Sequence, residues 1–488
     1  MTTFLLTAPL LAPALAAVAV ALFGWRRSTA CASIAGACVL LVIGAVLTTR
    51  THTGHLAAGH VLRADALAAV MLIVIGAVSS LAIWASINYL DVELGRGHTT
   101  ARRARQYGVL VNVFITAMTL AVIANNLGVM WVAVEATTVA TAFLVGHRRT
   151  RTSLEATWKY VIICSVGIAL AFLGTVLLYY ASLHAGATAG ALDIDALTAR
   201  AGSLDPGVTR LAAALLLLGY GTKVGLAPFH TWLADAHSEA PAPVSALMSG
   251  VLLSVAFSVL LRVKSVIDIA LGPTFLRVGL ITVGLLTLLI AGSLLILQRD
   301  YKRMLAYSSL ENMGLLAIAA AAGSRLAIAA LLLHVLAHGL GKSVLFIAAG
   351  QLQLAHDSTT IADVTGVLRR SPLLGFSLGA GFVAILGLPP FALFASEIAI
   401  ARGAADARLG WALGAALALV LVAFGAVVRH ASTMLFGASG RSAPTLTLSR
   451  SAAAPMLTGL AACGLLGITA GPLTRAFSAA AAALVGTR

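Results

Sequence analysis

Apolar runs of about twenty residues recur along almost the whole chain, and no other feature restricts its fold so severely. A helix crossing a lipid hydrocarbon core needs about 20 predominantly apolar residues. Read by that length, the sequence gives fourteen spans, near 4–24, 30–48, 66–90, 107–125, 127–146, 158–181, 208–227, 241–263, 276–298, 304–322, 326–350, 372–388 with 391–402, 409–428 and 453–471. The 107–146 stretch is one run, interrupted at Asn125–Asn126 alone. The longest loops, 182–206 and 351–371, are too short to hold a soluble domain. Backbone N–H and C=O groups in lipid must be paired within the protein, so runs this long are helices. The expectation is an all-α polytopic membrane protein.

Composition closes off the rival classes. Of 488 residues, 10% are charged and 60% hydrophobic, against about 25% charged in a soluble domain. That excludes a soluble globular protein, a disordered chain and a disulfide scaffold. The net charge of +15 forms no basic cluster on a polar face of its own, so it does not point to nucleic acid. Cys31, Cys38, Cys164 and Cys463 lie in apolar runs with no CxxC pair, and read as small packing residues. No cofactor is expected: no iron–sulfur or haem pattern, no phosphate-binding glycine loop and no nucleophile arrangement occurs. The THTGHLAAGH loop, with His52, His55 and His60, reads as solvated rather than as a metal site. Met1–Ala17 ends like a cleavage site but lacks a positive leader region, so the first run reads as a span and not a removed signal.

Lys and Arg concentrate in the loops after odd-numbered spans, at Arg26, Arg27, Arg102–Arg105, Arg148–Arg151 and onward to Arg441 and Arg450. The opposite loops hold fewer, among them Arg50, Arg63, Arg262, Lys264 and Arg488. The richer side is inward, which puts both termini outside a bacterial cell membrane.

A few ionisable residues break the apolar runs. Lys223 and Lys342 lie within spans, Glu135 sits at the middle of another, and Glu397 follows LGLPPFALFAS. A charge near the bilayer centre costs at least about 2.5–3.5 kcal/mol, so such residues read as functional. His334, His338 and Lys342 recur every four residues and share one helix face, as a proton wire requires. Pro228, Pro389 and Pro390 cannot donate to the carbonyls four residues earlier, so helices seven and twelve are expected to break there, beside Lys223 and Glu397. The breaks share a pattern: Gly225-Leu-Ala-Pro-Phe229 and Gly387-Leu-Pro-Pro-Phe391. Five spans apart, they indicate two inverted five-helix repeats. The division is then helices one to three in 1–106, half-channels in 107–263 and 276–437, and a C-terminal helix and tail in 438–488.

The segment GTKVGLAPFHTWLADAHSEAPAPVSALMSGVLL (221–253) resembles the signature of the antiporter-like, proton-translocating subunits of respiratory complex I and their relatives. QRDYKRMLAYSSLENMG (298–314) and GLPPFALFASE (387–397) are similar to two further blocks of that family. The 131–179 segment, opening WVAVEATTVATAFLVG, resembles the narrower hydrogenase-4 component F branch. The resemblance implies that Glu135 and Lys223 form a pair gating proton uptake. It matches His338, Lys342 and Glu397 to the family's eleventh- and twelfth-helix positions; the expected relay adds His230, His334 and Glu311, the last standing where relatives often have a polar or His residue. Relatives often carry a lysine on the eighth helix, where this chain has Ser254, with Ser258 a turn later. Water is expected to bridge that gap. The implied function is a non-redox proton-translocating subunit of a hydrogenase- or NADH/quinone-dehydrogenase-like complex, partnered by other membrane subunits and a peripheral arm. The alternative is a cation/proton antiporter component, or the membrane subunit of an inorganic-carbon uptake system, with a monovalent cation as possible cargo.

Overall fold

The structure is a computed structural model, and it describes residues 1–52, 54–188, 190–438 and 448–485. Arg441, Arg488 and Thr53 of the histidine-rich loop lie outside the described residues. Helices α1 (Thr2–Phe23), α2 (Arg27–Arg50), α3 (Ala66–Gly95), α4 (Ala101–Ile123), α5 (Leu127–Val145) and α6 (Arg151–His184) open the chain. After a short α7 (Ile194–Arg200) come α8 (Pro206–Val224), α9 (Trp232–Glu239), α10 (Ala242–Leu247) and α11 (Leu253–Leu271). The second part holds α12 (Thr274–Ile296), α13 (Tyr301–Ala322), α14 (Arg325–His356), α15 (Val367–Arg370), α16 (Pro372–Ile385), α17 (Ala392–Asp406), α18 (Gly410–Phe436), α19 (Arg450–Ile468) and α20 (Gly471–Val485). Twelve helices among the described residues are long and apolar enough to cross a membrane, taking α10–α11 as one. α8 and the broken pair α16–α17 lie where the sequence places its seventh and twelfth spans, and α9 falls between the seventh span and the eighth.

Polar caps set the helix boundaries. Asn126 divides the long 107–146 run by accepting from the Gly128 and Val129 amides. Asp65, Thr100, Thr150, Asp205, Asp300 and Ser324 cap α3, α4, α6, α8, α13 and α14 in the same way. A two-stranded hairpin, β1 (Leu56–Ala58) with β2 (Leu62–Ala64), pairs Leu56 with Ala64 and leads into Asp65. The Asn125 amide donates to the Val61 carbonyl at 2.8 Å, fastening this hairpin across the α4–α5 turn.

The helices sort into a core and a shell. The apolar window of α10–α11 is wholly buried and that of α14 is 94% buried, against 28% for α18. Around α14 pack α10, α13, α16, α17, α19 and α20. α14 meets the α10–α11 segment backbone to backbone. A Cβ on Gly250 would fall 3.0 Å from the Gly339 carbonyl, and one on Gly339 would fall 2.8 Å from the Gly250 carbonyl. Gly250 lies in a π-helical turn, Met248–Leu252, just before Ser254.

Two expectations need correction. Cys164 and Cys463 are buried, but Cys31 and Cys38 lie exposed on α2, the side chains of an outer helix rather than of the core. Lys223 and Lys342 are not the only basic side chains in the interior: Lys302 is fully buried, as is Arg262 at 4% exposure. Both sit near span ends, where sequence position suggests a solvated loop.

Candidate functional site

Both breaks begin at a glycine, and the prolines lie beyond it. α8 ends at Val224, with Gly225 at φ 87 and the Leu226 amide bonded to the Gly221 carbonyl at 2.8 Å. α16 ends at Ile385, with Gly387 at φ 62 and the Leu388 amide bonded to the Val383 carbonyl at 3.2 Å. This six-to-one bond past a left-handed glycine is the Schellman arrangement. Pro228, Pro389 and Pro390 therefore occupy the linkers of helices already ended. The linker at the first break is held from outside: the Ala227 amide donates to Thr287 Oγ1 at 2.9 Å, and the Trp232 indole donates to the Thr222 carbonyl at 2.9 Å.

Lys223 occupies the last turn of α8, where the negative end of the helix dipole favours a cation. Its Nζ donates to Thr138 Oγ1 of α5 at 2.8 Å and to Tyr160 OH of α6 at 2.6 Å. Thr138 in turn donates to Glu135 Oε2 at 3.1 Å. The expected Glu135–Lys223 pair is thus joined through a hydroxyl rather than by direct contact. Tyr160 OH also bonds Thr141 Oγ1 at 2.6 Å, and Lys223 Nζ lies 4.7 Å from the Tyr160 ring centroid. Thr138 and Tyr160 escape a reading of the sequence because both residue types are ordinary in apolar helices.

A second cluster gathers α13, α14 and α17. Lys342 Nζ donates to the Leu305 carbonyl at 2.7 Å and to Ser308 Oγ. Asn312 Nδ2 donates to Glu311 Oε2 at 2.6 Å and to the Ser308 carbonyl at 2.7 Å, which leaves its Oδ1 to accept from His334 Nε2 at 2.8 Å. His334 Nδ1 faces Ser396 Oγ at 3.0 Å, and that hydroxyl also reaches the Leu393 carbonyl at 2.8 Å. The Ser396 proton can turn toward either partner, so His334 finds a hydrogen bond at Nδ1 whether neutral or charged. Glu311, Ser308 and Glu397 line a common cavity of about 20 Å³, room for about one water. Glu397 lies over Gly387, where a Cβ would fall 2.2 Å from its Oε2.

The remaining expected residues have fewer partners. His338 stacks on His334 with ring centroids 6.4 Å apart, but neither of its buried nitrogens has a hydrogen-bond partner. Ser254 Oγ is buried and unpaired, and Ser258 Oγ donates to the Val255 carbonyl at 2.7 Å. His230 is half-buried in the first break with Nδ1 unpaired. Between the clusters sits His237 of α9, a residue that sequence reasoning passed over. It is fully buried, its Nδ1 bonds the Leu233 carbonyl at 2.7 Å, and its Nε2 has no partner. Its ring centroid lies 6.1 Å from that of Trp232, which flanks Lys223. On the other side it lies 5.9 Å from Phe346, one turn beyond Lys342 on α14. The signal was available: His237 stands inside the AHSEAP stretch of the motif already quoted.

Further ion pairs brace the ends of the bundle. Arg262 of α11 forms a two-pronged bridge to Asp65 at 2.6 and 2.9 Å. Burial opposes the Asp65 carboxylate, but Arg262, Arg63 and the Ala68 amide outweigh it and hold the carboxyl well below the usual range. His55 lies 3.6 Å from Asp195. Among the described residues no group of three His, Cys, Asp or Glu side chains could hold a metal ion.

Residues 124–424 match the family described as NADH:quinone oxidoreductase/Mrp antiporter, TM. The chain is 40% identical over 369 residues to a hydrogenase-4 component F homolog of Methylacidiphilum infernorum, spanning 74% of this chain and 76% of that protein. It is 33% identical over 309 residues to NADH-quinone oxidoreductase subunit N of Deinococcus radiodurans, spanning 62% of this chain and 61% of that protein. In fold it is similar to a chain of the membrane-bound sulfane sulfur reductase, an archaeal respiratory membrane complex. The TM-score is 0.86 at 23% identity, with 99% of this chain and 97% of that chain covered. The broken helices, the buried lysines and these matches lead to one conclusion: the chain belongs to the NADH:quinone oxidoreductase/Mrp antiporter family of membrane proteins.

Proposed function

We propose that this chain is the non-redox, proton-translocating membrane subunit of a hydrogenase- or NADH/quinone-dehydrogenase-like respiratory complex. One observation carries the reading above the others: fully buried Lys223 donates to two hydroxyls, one of which connects it to Glu135. A buried lysine locked against a carboxylate would be a structural brace. A hydroxyl between the two can accept a proton on one side and pass one on the other, so the pair can exchange a proton without a large motion. The second cluster offers the same facility at His334, with Asn312 and Ser396 serving either protonation state. His237 is our candidate for the link between the clusters, in place of the lysine that Ser254 does not supply.

In this reading α8 and the broken pair α16–α17 are one crossing each, which brings the count to fourteen, and 107–263 and 276–437 are the inverted half-channels. Both termini face outward from a bacterial cell membrane. Other membrane subunits and a peripheral hydrogenase- or dehydrogenase-like arm supply the driving energy.

The test is proton pumping in vesicles by the assembled complex. Lys223→Ala and Glu135→Gln should each remove most translocation while the subunit still inserts and assembles. Wild-type pumping in both variants would overturn the proposal.

A further inference from the structure

At one end of the bundle, α4, α5 and α6 enclose a groove of about 900 Å³, within the size range of about 300–1,000 Å³ typical of small-molecule sites. Its rim carries Arg103, Arg105 and Arg149. Among the described residues none of the three pairs with a carboxylate; Arg105 reaches only the Ala21 carbonyl, at 3.4 Å. Adjoining depressions add Arg26 and Arg102 to the same positive field. Below the rim the walls become apolar, with Phe143 66% exposed and Trp158 65% exposed on helices that cross the membrane. All three arginines stand at helix ends: the start of α4 for two, and the α5–α6 turn for the third.

A ligand for this groove must bring concentrated negative charge to the rim and hydrocarbon to the walls. Basic pockets between crossing helices on the inward side take anionic lipid headgroups, and Trp is enriched at that depth. Topology control explains why arginines lie at this end, but it does not require a groove behind them. We propose that the groove seats one anionic phospholipid. Its phosphate lies among Arg103, Arg105 and Arg149, and its acyl chains lie along Phe143, Leu154 and Trp158.

The full chain in nanodiscs tests this with dibrominated lipids, which quench nearby tryptophan. At equal mole fraction, brominated phosphatidylglycerol should quench the Trp158 emission, isolated by difference from Trp158→Phe, more than brominated phosphatidylcholine. Native mass spectrometry should show phosphatidylglycerol retained over phosphatidylcholine by about tenfold. The triple variant Arg103→Ala, Arg105→Ala, Arg149→Ala should lose that preference. Arg299→Ala, Arg369→Ala, Arg429→Ala, with the same charge removed from exposed sites elsewhere, should keep it. Millimolar inorganic phosphate should not displace the lipid. Equal retention of the two lipids by the wild type in native mass spectrometry overturns the proposal without any variant having to fold. So does a preference that survives the first triple, or displacement of the lipid by phosphate.

Discussion

Because Thr138 stands between Glu135 and Lys223, the hydroxyl can be removed while both charges stay. A hydrogen bond to a charged group contributes about 1.5–3 kcal/mol, so Thr138→Val should slow pumping by about tenfold or more with the subunit still assembled. A Thr138→Val variant that pumps normally, beside a dead Glu135→Gln, would mean the two groups exchange directly. Ser254 and His237 divide in a similar way. Ser254 Oγ has no partner, so Ser254→Ala should leave thermal stability unchanged or raised, and pumping intact. His237→Phe keeps the ring between Trp232 and Phe346 but removes the nitrogens, and should slow pumping by about tenfold. The reverse result, a sensitive Ser254→Ala and a silent His237→Phe, would return the link to α11. The charges were legible in the sequence because a Glu or Lys in an apolar run contradicts its surroundings. Thr138, Tyr160 and Asn312 contradict nothing, and their part emerges only when three helices meet.

At the scale of helices, Gly225 and Gly387 settle more than the prolines that first draw the eye. Gly387 needs its positive φ and also leaves room for Glu397. A residue with a Cβ in that conformation costs about 1–2 kcal/mol, and Gly387→Ala adds the clash. We expect Gly387→Ala to lower thermal stability and to displace Glu397 from the cavity it shares with Glu311, with pumping reduced. Glu397→Gln in the same background should then add little further loss of pumping. Span positions were legible from hydropathy, and Asn126 marked the division of the 107–146 run. α20 was not: fifteen residues, many of them alanine, are too few to read as a crossing, and its place against α3 and α14 is a tertiary fact. The glycine caps were hidden for a related reason, since a Gly-Leu-x-Pro string marks a break without saying which residue makes it.

Across the whole molecule, the Asp65–Arg262 bridge ties the start of α3 to the middle of α11. Removing one partner of a buried ion pair costs about 3–5 kcal/mol, so Asp65→Asn should lower the unfolding temperature markedly at pH 7. The lowered Asp65 value fixes the sign of the pH dependence: its contribution is complete above the ordinary carboxylate range near about pH 4. It drains away as pH falls from there toward the folded-state value. The stability gap between wild type and Asp65→Asn should therefore hold constant from pH 7 to about 5 and narrow only below about 4; a gap that closes between pH 7 and 5 would assign the bridge a different protonation chemistry. α14 has a consequence of another kind. Its apolar window is almost wholly enclosed, whereas α18 turns most of its own outward. Under random substitution the chain should show steep contrast in tolerance. Nearly any change of volume along α14 should be lethal to assembly, while α18 accepts one apolar residue for another. Over generations the outer helices are then free to drift and acquire new neighbours, with the interior axis held nearly constant.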